Sequence, residues 1–102
     1  MTITRIGAGA RMSAAVTHGA TVYLAGQVAA KAAGKSVGEQ TAEILGLIDA
    51  LLAEAGSDKT KILSCNIWLA DIKTFAEMNA VWDKWVAPGH TPPLLRCLPF
   101  GL

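Results

Sequence analysis

The sequence predicts an α+β domain, a mixed β-sheet with two helices packed on one face, from three observations. A glycine-centred connector separates two short apolar runs, two stretches carry helical periodicity behind capping residues, and one segment between those helices alternates. Ala14-Ala15-Val16-Thr17 and Thr21-Val22-Tyr23-Leu24-Ala25 flank His18-Gly19-Ala20, which reads as a β-hairpin. Thr2 to Ile6 adds an edge strand ahead of it, joined by the plain turn Gly7-Ala8-Gly9-Ala10.

The first helix starts at Ser36, with Glu39 three residues later in capping-box spacing. Ile44, Leu45, Ile48, Leu51, Leu52 and Ala55 then recur at helical spacing, Glu43, Asp49 and Glu54 fall where they reach solvent, and Gly56 stops the helix. Thr60 to Ala70 is a strand, with Leu63, Cys65, Ile67 and Leu69 on a wholly apolar face expected to meet that helix. Thr74 and Glu77 repeat the capping-box spacing, and Phe75, Met78, Trp82 and Trp85 make one stripe of a second helix that ends at Pro88-Gly89. The stripe belongs to the core rather than to a ligand. Three prolines in the tail leave room for at most a short edge strand, Leu94 to Leu98.

Composition narrows the function classes. With 102 residues, 52% of them hydrophobic and 17% charged, the chain has the material for one domain and apolar surface in excess, which favours oligomerisation. A formal charge of +1 with scattered lysines gives nucleic acid no basic patch to bind. No apolar run approaches the ~20 residues that span a bilayer, so no membrane segment is expected. Cys65 and Cys97 read as free thiols of a reducing compartment, hence the cytoplasm.

No CxxC, HExxH, GxSxG or phosphate-loop pattern occurs, and His18 and His90 are isolated, so no metal and no cofactor are expected. Cys65 in mid-strand is a small core residue. Cys97, beside Arg96, is the better candidate for a reactive or ligand-facing thiol, with an edge-strand residue as the alternative.

Taken in order, four segments resemble the Rid family of YjgF-like reactive-intermediate deaminases. Arg11-Met12-Ser13-Ala14-Ala15-Val16 is similar to the family's Gly-Pro-Tyr-Ser-Gln-Ala-Val, and Thr21 to Val28 to its strand ending in Ser-Gly-Gln-Ile. Glu39-Gln40-Thr41, running on to Glu54-Ala55-Gly56, resembles Gln-Thr-x-x-x-Leu-x-Asn-Leu followed by Glu-Ala-Gly. Trp68 to Trp82 resembles the family's strand, acidic turn and second helix.

The resemblance implies a chorismate-mutase-like fold, a homotrimer with active sites in inter-subunit clefts, and a small carboxylate-bearing substrate held by an arginine. The implied reaction is hydrolysis of enamines and imines such as 2-aminoacrylate to keto acid and ammonia. Carried over residue by residue, the family's tyrosine falls on Met12, its strand serine on Ala25 and its helix asparagine on Asn79. Thr91-Pro92 opens the arginine motif, whose arginine position falls on Leu94; the nearest arginine is Arg96, followed by Cys97.

Residues 1–102 thus read as one Rid-like domain whose tail departs from the family pattern from about residue 93, with the C-terminal strands missing or altered. Arg96 and Asn79 are the candidate catalytic residues; Arg96, Cys97, Met12 and Ala25 are the candidate substrate-binding ones. A non-catalytic trimeric small-molecule-binding protein is the alternative function, and an endoribonuclease or translation-inhibitor activity is a further one with little support from charge.

Overall fold

Short β-branched segments and glycine turns build the first half of the protein. The computed structural model describes residues 2–92 and the backbone of residues 94–97. β1 (Ile3–Ile6), β2 (Ala15–His18) and β3 (Thr21–Leu24) form an antiparallel sheet in that order, with Val16 opposite Tyr23 and Arg5 opposite Val16. Gly19 turns the β2–β3 hairpin at φ +62°, a conformation that side-chain-bearing residues avoid.

The first helix, α1 (Val37–Glu54), begins and ends on the expected signals. Ser36 Oγ accepts the Glu39 N–H at 3.2 Å. At the other end Gly56 takes φ +78°, the Ser57 N–H donates to the Leu52 carbonyl at 2.8 Å and the Gly56 N–H to Ala53 at 3.0 Å. That is the paired hydrogen-bond closure of a left-handed helix stop. Two of the acidic residues expected to reach solvent also hold hydrogen bonds, Asp49 while exposed and Glu43 while half-buried. Glu43 accepts the N–H of Ala32 at 2.7 Å and of Lys31 at 3.2 Å, tying down the loop before the helix. Asp49 accepts the Trp85 indole N–H at 2.7 Å.

The alternating segment is a strand only over Cys65–Trp68, here β4. Asp58 captures the residues ahead of it in a 3-10 turn over Lys59–Lys61 by accepting the Thr60 N–H at 2.8 Å, so the strand starts later than the alternation does. The expected apolar face holds for Cys65, Ile67 and Leu69, which join the helix-packed core, whereas Leu63 stays exposed. α2 (Phe75–Trp85) completes the core with Met78, fully buried, and Trp82. Leu45, Leu69, Met78 and Trp82 therefore join both helices to the end of β4. Trp85 lies 5.4 Å from Trp82, centroid to centroid, and receives the Lys59 ammonium over its ring at 5.1 Å.

The capping box of the second helix does not form: Thr74 makes no side-chain cap. Glu77 is committed elsewhere, accepting the Gly38 N–H in the first turn of α1 at 2.6 Å. Gly38 permits this contact, because a Cβ there would meet Glu77 Oε2 at 3.1 Å. A carboxylate at a helix N-terminus is favourable, and here it also clamps α2 to α1.

The expected α+β class with two helices is thus present, while the strands divide into two sheets. β5 (Leu94–Cys97) pairs parallel with β4, and this two-stranded sheet is separate from β1-β2-β3. Leu98, included in the expected edge strand, lies outside the described residues. No helix among the described residues is long and apolar enough to cross a membrane.

Met78→Ala removes a side chain with no exposure and should cost about 2–5 kcal/mol in denaturant unfolding. Glu77→Ala should cost about 1 kcal/mol in the same measurement, because one helix-start donor loses its partner. Glu77→Gln, which keeps an acceptor, should recover part of that loss.

Candidate functional site

The separation of the sheets leaves a groove of about 1110 Å³ between the β3 side and the β4 side. Tyr23, Leu24 and Ala25 form one wall and Asn66, Ile67 and Trp68 the other. Thr41, Ile44, Leu45 and Ile48 bring α1 against it. Its polar lining includes the carboxamides of Gln27 and Asn66 and the Thr41 hydroxyl, which donates to the Val37 carbonyl at 2.7 Å. Among the described residues its charged lining side chains are Lys61 and Asp71. Lys61 pairs with Asp58 at 3.8 Å across an exposed surface, and Asp71 accepts the Lys73 N–H at 2.9 Å.

Of the residues singled out from the sequence, Ala25 lies in this groove. Its N–H donates to the Ala14 carbonyl at 2.9 Å, continuing the hairpin ladder, and its carbonyl accepts from the Gln27 carboxamide at 2.9 Å. Met12 stands on the β1–β2 loop, its carbonyl accepting the Gly9 N–H at 2.8 Å, and its side chain is 57% exposed. Asn79 is half-buried on α2, one residue after the core residue Met78. Among the described residues neither Met12 nor Asn79 lines the groove. Arg96 and Cys97 occupy β5 in register with Ile67 and Trp68 of β4; their side chains lie outside the described residues.

The geometry adds residues that sequence reasoning did not assign to a site. Tyr23 and Trp68, 60% and 61% exposed, stand on opposite walls, and Gln27 and Asn66 supply neutral hydrogen-bonding groups. Only the mixed face of the β4 alternation, which carries Asn66 and Trp68, hinted at this in the sequence. Their convergence with β3 depends on two elements being brought together by tertiary packing.

Cys65 also borders the groove, but partial burial raises its thiol above the ordinary value, because desolvation penalises the thiolate. It is therefore a neutral, weakly nucleophilic group at pH 7. In a Cys97→Ser background, a thiol-specific reagent should label Cys65 slowly in the folded protein and much faster in denaturant. The sign for stability follows from the same shift. The neutral thiol is favoured on folding, so the contribution is complete at neutral pH and declines as pH rises past the ordinary thiol value.

Residues 2–99 match the family model described as Endoribonuclease L-PSP. The chain is 49% identical to a RutC family protein of Haemophilus influenzae over 96 residues, which cover 94% of the chain and 81% of the relative. It is 46% identical to the RutC family protein YoaB of Escherichia coli, over 95% of the chain and 82% of that protein. Its fold is similar to the crystal structure of a YjgF-family protein from Neisseria meningitidis, with a TM-score of 0.93 and 42% identity over 97% of this chain and 82% of that one. A putative endoribonuclease L-PSP from Entamoeba histolytica shares the fold with a TM-score of 0.86 and 27% identity, over 99% of this chain and 89% of that one.

Proposed function

This chain belongs to the Endoribonuclease L-PSP (YjgF/RutC) family, and on that premise we propose that it is a hydrolytic deaminase of small reactive enamines and imines. The observation that carries the reading is the family match over residues 2–99, which extends through the β5 strand bearing Arg96. The substrate class is a 2-aminoacrylate-like amino acid derivative. Protonation at its terminal carbon converts the enamine to an iminium, water adds to the C=N carbon, and the C–N bond then breaks. Keto acid and ammonia leave.

Such a reaction requires orientation, a positioned water and proton transfer rather than a strong protein nucleophile. The neutral state of Cys65 is compatible with that demand. A cation is needed for the substrate carboxylate, and the one that lines the groove among the described residues, Lys61, is paired with Asp58 at 3.8 Å. We assign this role to Arg96, whose guanidinium suits bidentate carboxylate binding. Cys97 beside it, with Met12 and Ala25, is assigned to the substrate-binding surface, and Asn79 to holding the attacking water.

Ala25, Met12 and Asn79 are spread over a β3 extension, a loop and α2, so a single chain does not collect them in its groove. A homotrimer with clefts between subunits is the arrangement we propose to bring them together. The two cysteines fit a cytoplasmic setting.

The apolar side chains of Met12 and Ala25 favour one second reading, a trimer that binds such metabolites without turnover. Ligand-dependent thermal stabilisation without product would distinguish it. The deaminase reading expects ammonia and keto acid in equal amounts from an imino acid generated in situ, at a rate proportional to protein. Arg96→Ala should lower that rate on the order of 10- to 100-fold, the range of a lost charge-assisted contact, with unchanged circular dichroism. An unaltered rate removes Arg96 from the site, and no release above background refutes the enzyme.

A further inference from the structure

We propose that Glu43 of α1 is a positioning residue for the substrate-binding surface, acting through the loop that follows β3; the inference rests on the site assigned under the proposed function. Residues 25–29, the start of that loop, all line the groove, whereas Glu43 is not among the lining residues. The loop belongs to no strand or helix and runs on to Ser36, the cap of α1. Ala25 is still held by Ala14. Beyond it, among the described residues, the hydrogen bonds that tie residues 26–35 to other elements all come from two side chains of α1.

Glu43 takes the larger share. One carboxylate oxygen accepts the Ala32 N–H at 2.7 Å and the other the Lys31 N–H at 3.2 Å, so two consecutive backbone donors converge on one charged acceptor. Hydrogen bonds to an ionised group are stronger than neutral ones, and a pair of them fixes direction as well as distance. Gln40, one turn earlier on the same helix, donates its carboxamide to the Lys35 carbonyl at 2.8 Å. Between these anchors the Lys35 N–H closes a turn onto the Ala32 carbonyl at 2.9 Å. Ala29 and Ala32 are buried, but each contributes only a methyl group, so apolar burial does little to replace the anchors.

The carboxylate therefore decides where Gln27 and Val28 stand. Extended chain from Val28 to Lys31 reaches at most about 10 Å, so releasing Lys31 and Ala32 also releases the groove wall. Glu43 touches no substrate. Losing it should weaken substrate binding and leave the chemical step alone, because no proton transfer or attacking water is assigned to this loop.

The test combines amide hydrogen exchange with binding and turnover on the 102-residue chain. Glu43→Ala should speed exchange at Lys31 and Ala32 about tenfold or more, with the α2 core amide of Trp82 unchanged. Glu43→Gln offers one acceptor oxygen in place of two, so it should keep protection at one of those two amides and lose it at the other. KM for the imino acid, and Kd for pyruvate, the keto acid formed from 2-aminoacrylate, should both rise about 3- to 10-fold in Glu43→Ala, with kcat within about twofold and Glu43→Gln in between. Unchanged exchange at Lys31 and Ala32 overturns the inference, and so do unchanged KM and Kd despite faster exchange. Wild-type protein that binds pyruvate without turnover removes the deaminase reading, and the Kd series then decides the inference alone. Neither binding nor turnover in the wild type overturns both.

Discussion

The two helices are held against β4 by one contiguous packing arrangement, and the rest of the molecule depends on it. Leu45 from α1, Leu69 just after β4, and Met78 and Trp82 from α2 exclude water together, with Cys65 and Ile67 packed against them. Hydrophobic burial has no direction of its own. Orientation comes from two polar contacts between the helices, Glu77 on the Gly38 N–H and the Trp85 indole on Asp49. They lie near opposite ends of α2, so they oppose rotation of one helix on the other. α1 also borders the groove beside β3, and its placement therefore sets how far β3 stands from β4.

Local signals made much of this legible. Gly19 announced the hairpin, Ser36 and Gly56 bracketed α1, and the Met78–Trp82 stripe located the core face of α2, because each depends on residues within one or two turns. Long-range competition was not legible. The second capping box failed because Glu77 finds a donor 39 positions earlier in the chain, and Gly38 leaves room for it. β4 is shorter than its alternation because Asp58 supplies a competing local structure. Asp49 is exposed as expected, but nothing near it in sequence betrays its bond to the Trp85 indole.

For the site, the sequence pointed to Ala25, which does border the groove, through resemblance rather than through any chemistry of alanine. Arg96 was reached the same way, and its strand pairs with β4 as an edge strand should. Met12 and Asn79 were legible only as positions in a family pattern; a single chain leaves them apart from the groove. The division into two sheets had no local signature. Among the described residues β3 and β4 each have a strand partner on one side only, and strand pairing between distant segments cannot be read from periodicity.

A small domain with a 52% hydrophobic sequence and exposed Tyr23, Trp68, Val28 and Leu63 has surface that calls for further cover. The proposed function requires that cover to come from other subunits, since the residues assigned to the substrate lie on separate elements of one chain. Multi-angle light scattering across micromolar concentrations, run alongside the deaminase assay on the same sample, tests this most directly. The account predicts a single species of three 10.6 kDa chains whose activity falls in step with dissociation on dilution. A monomer that retains full activity would contradict it.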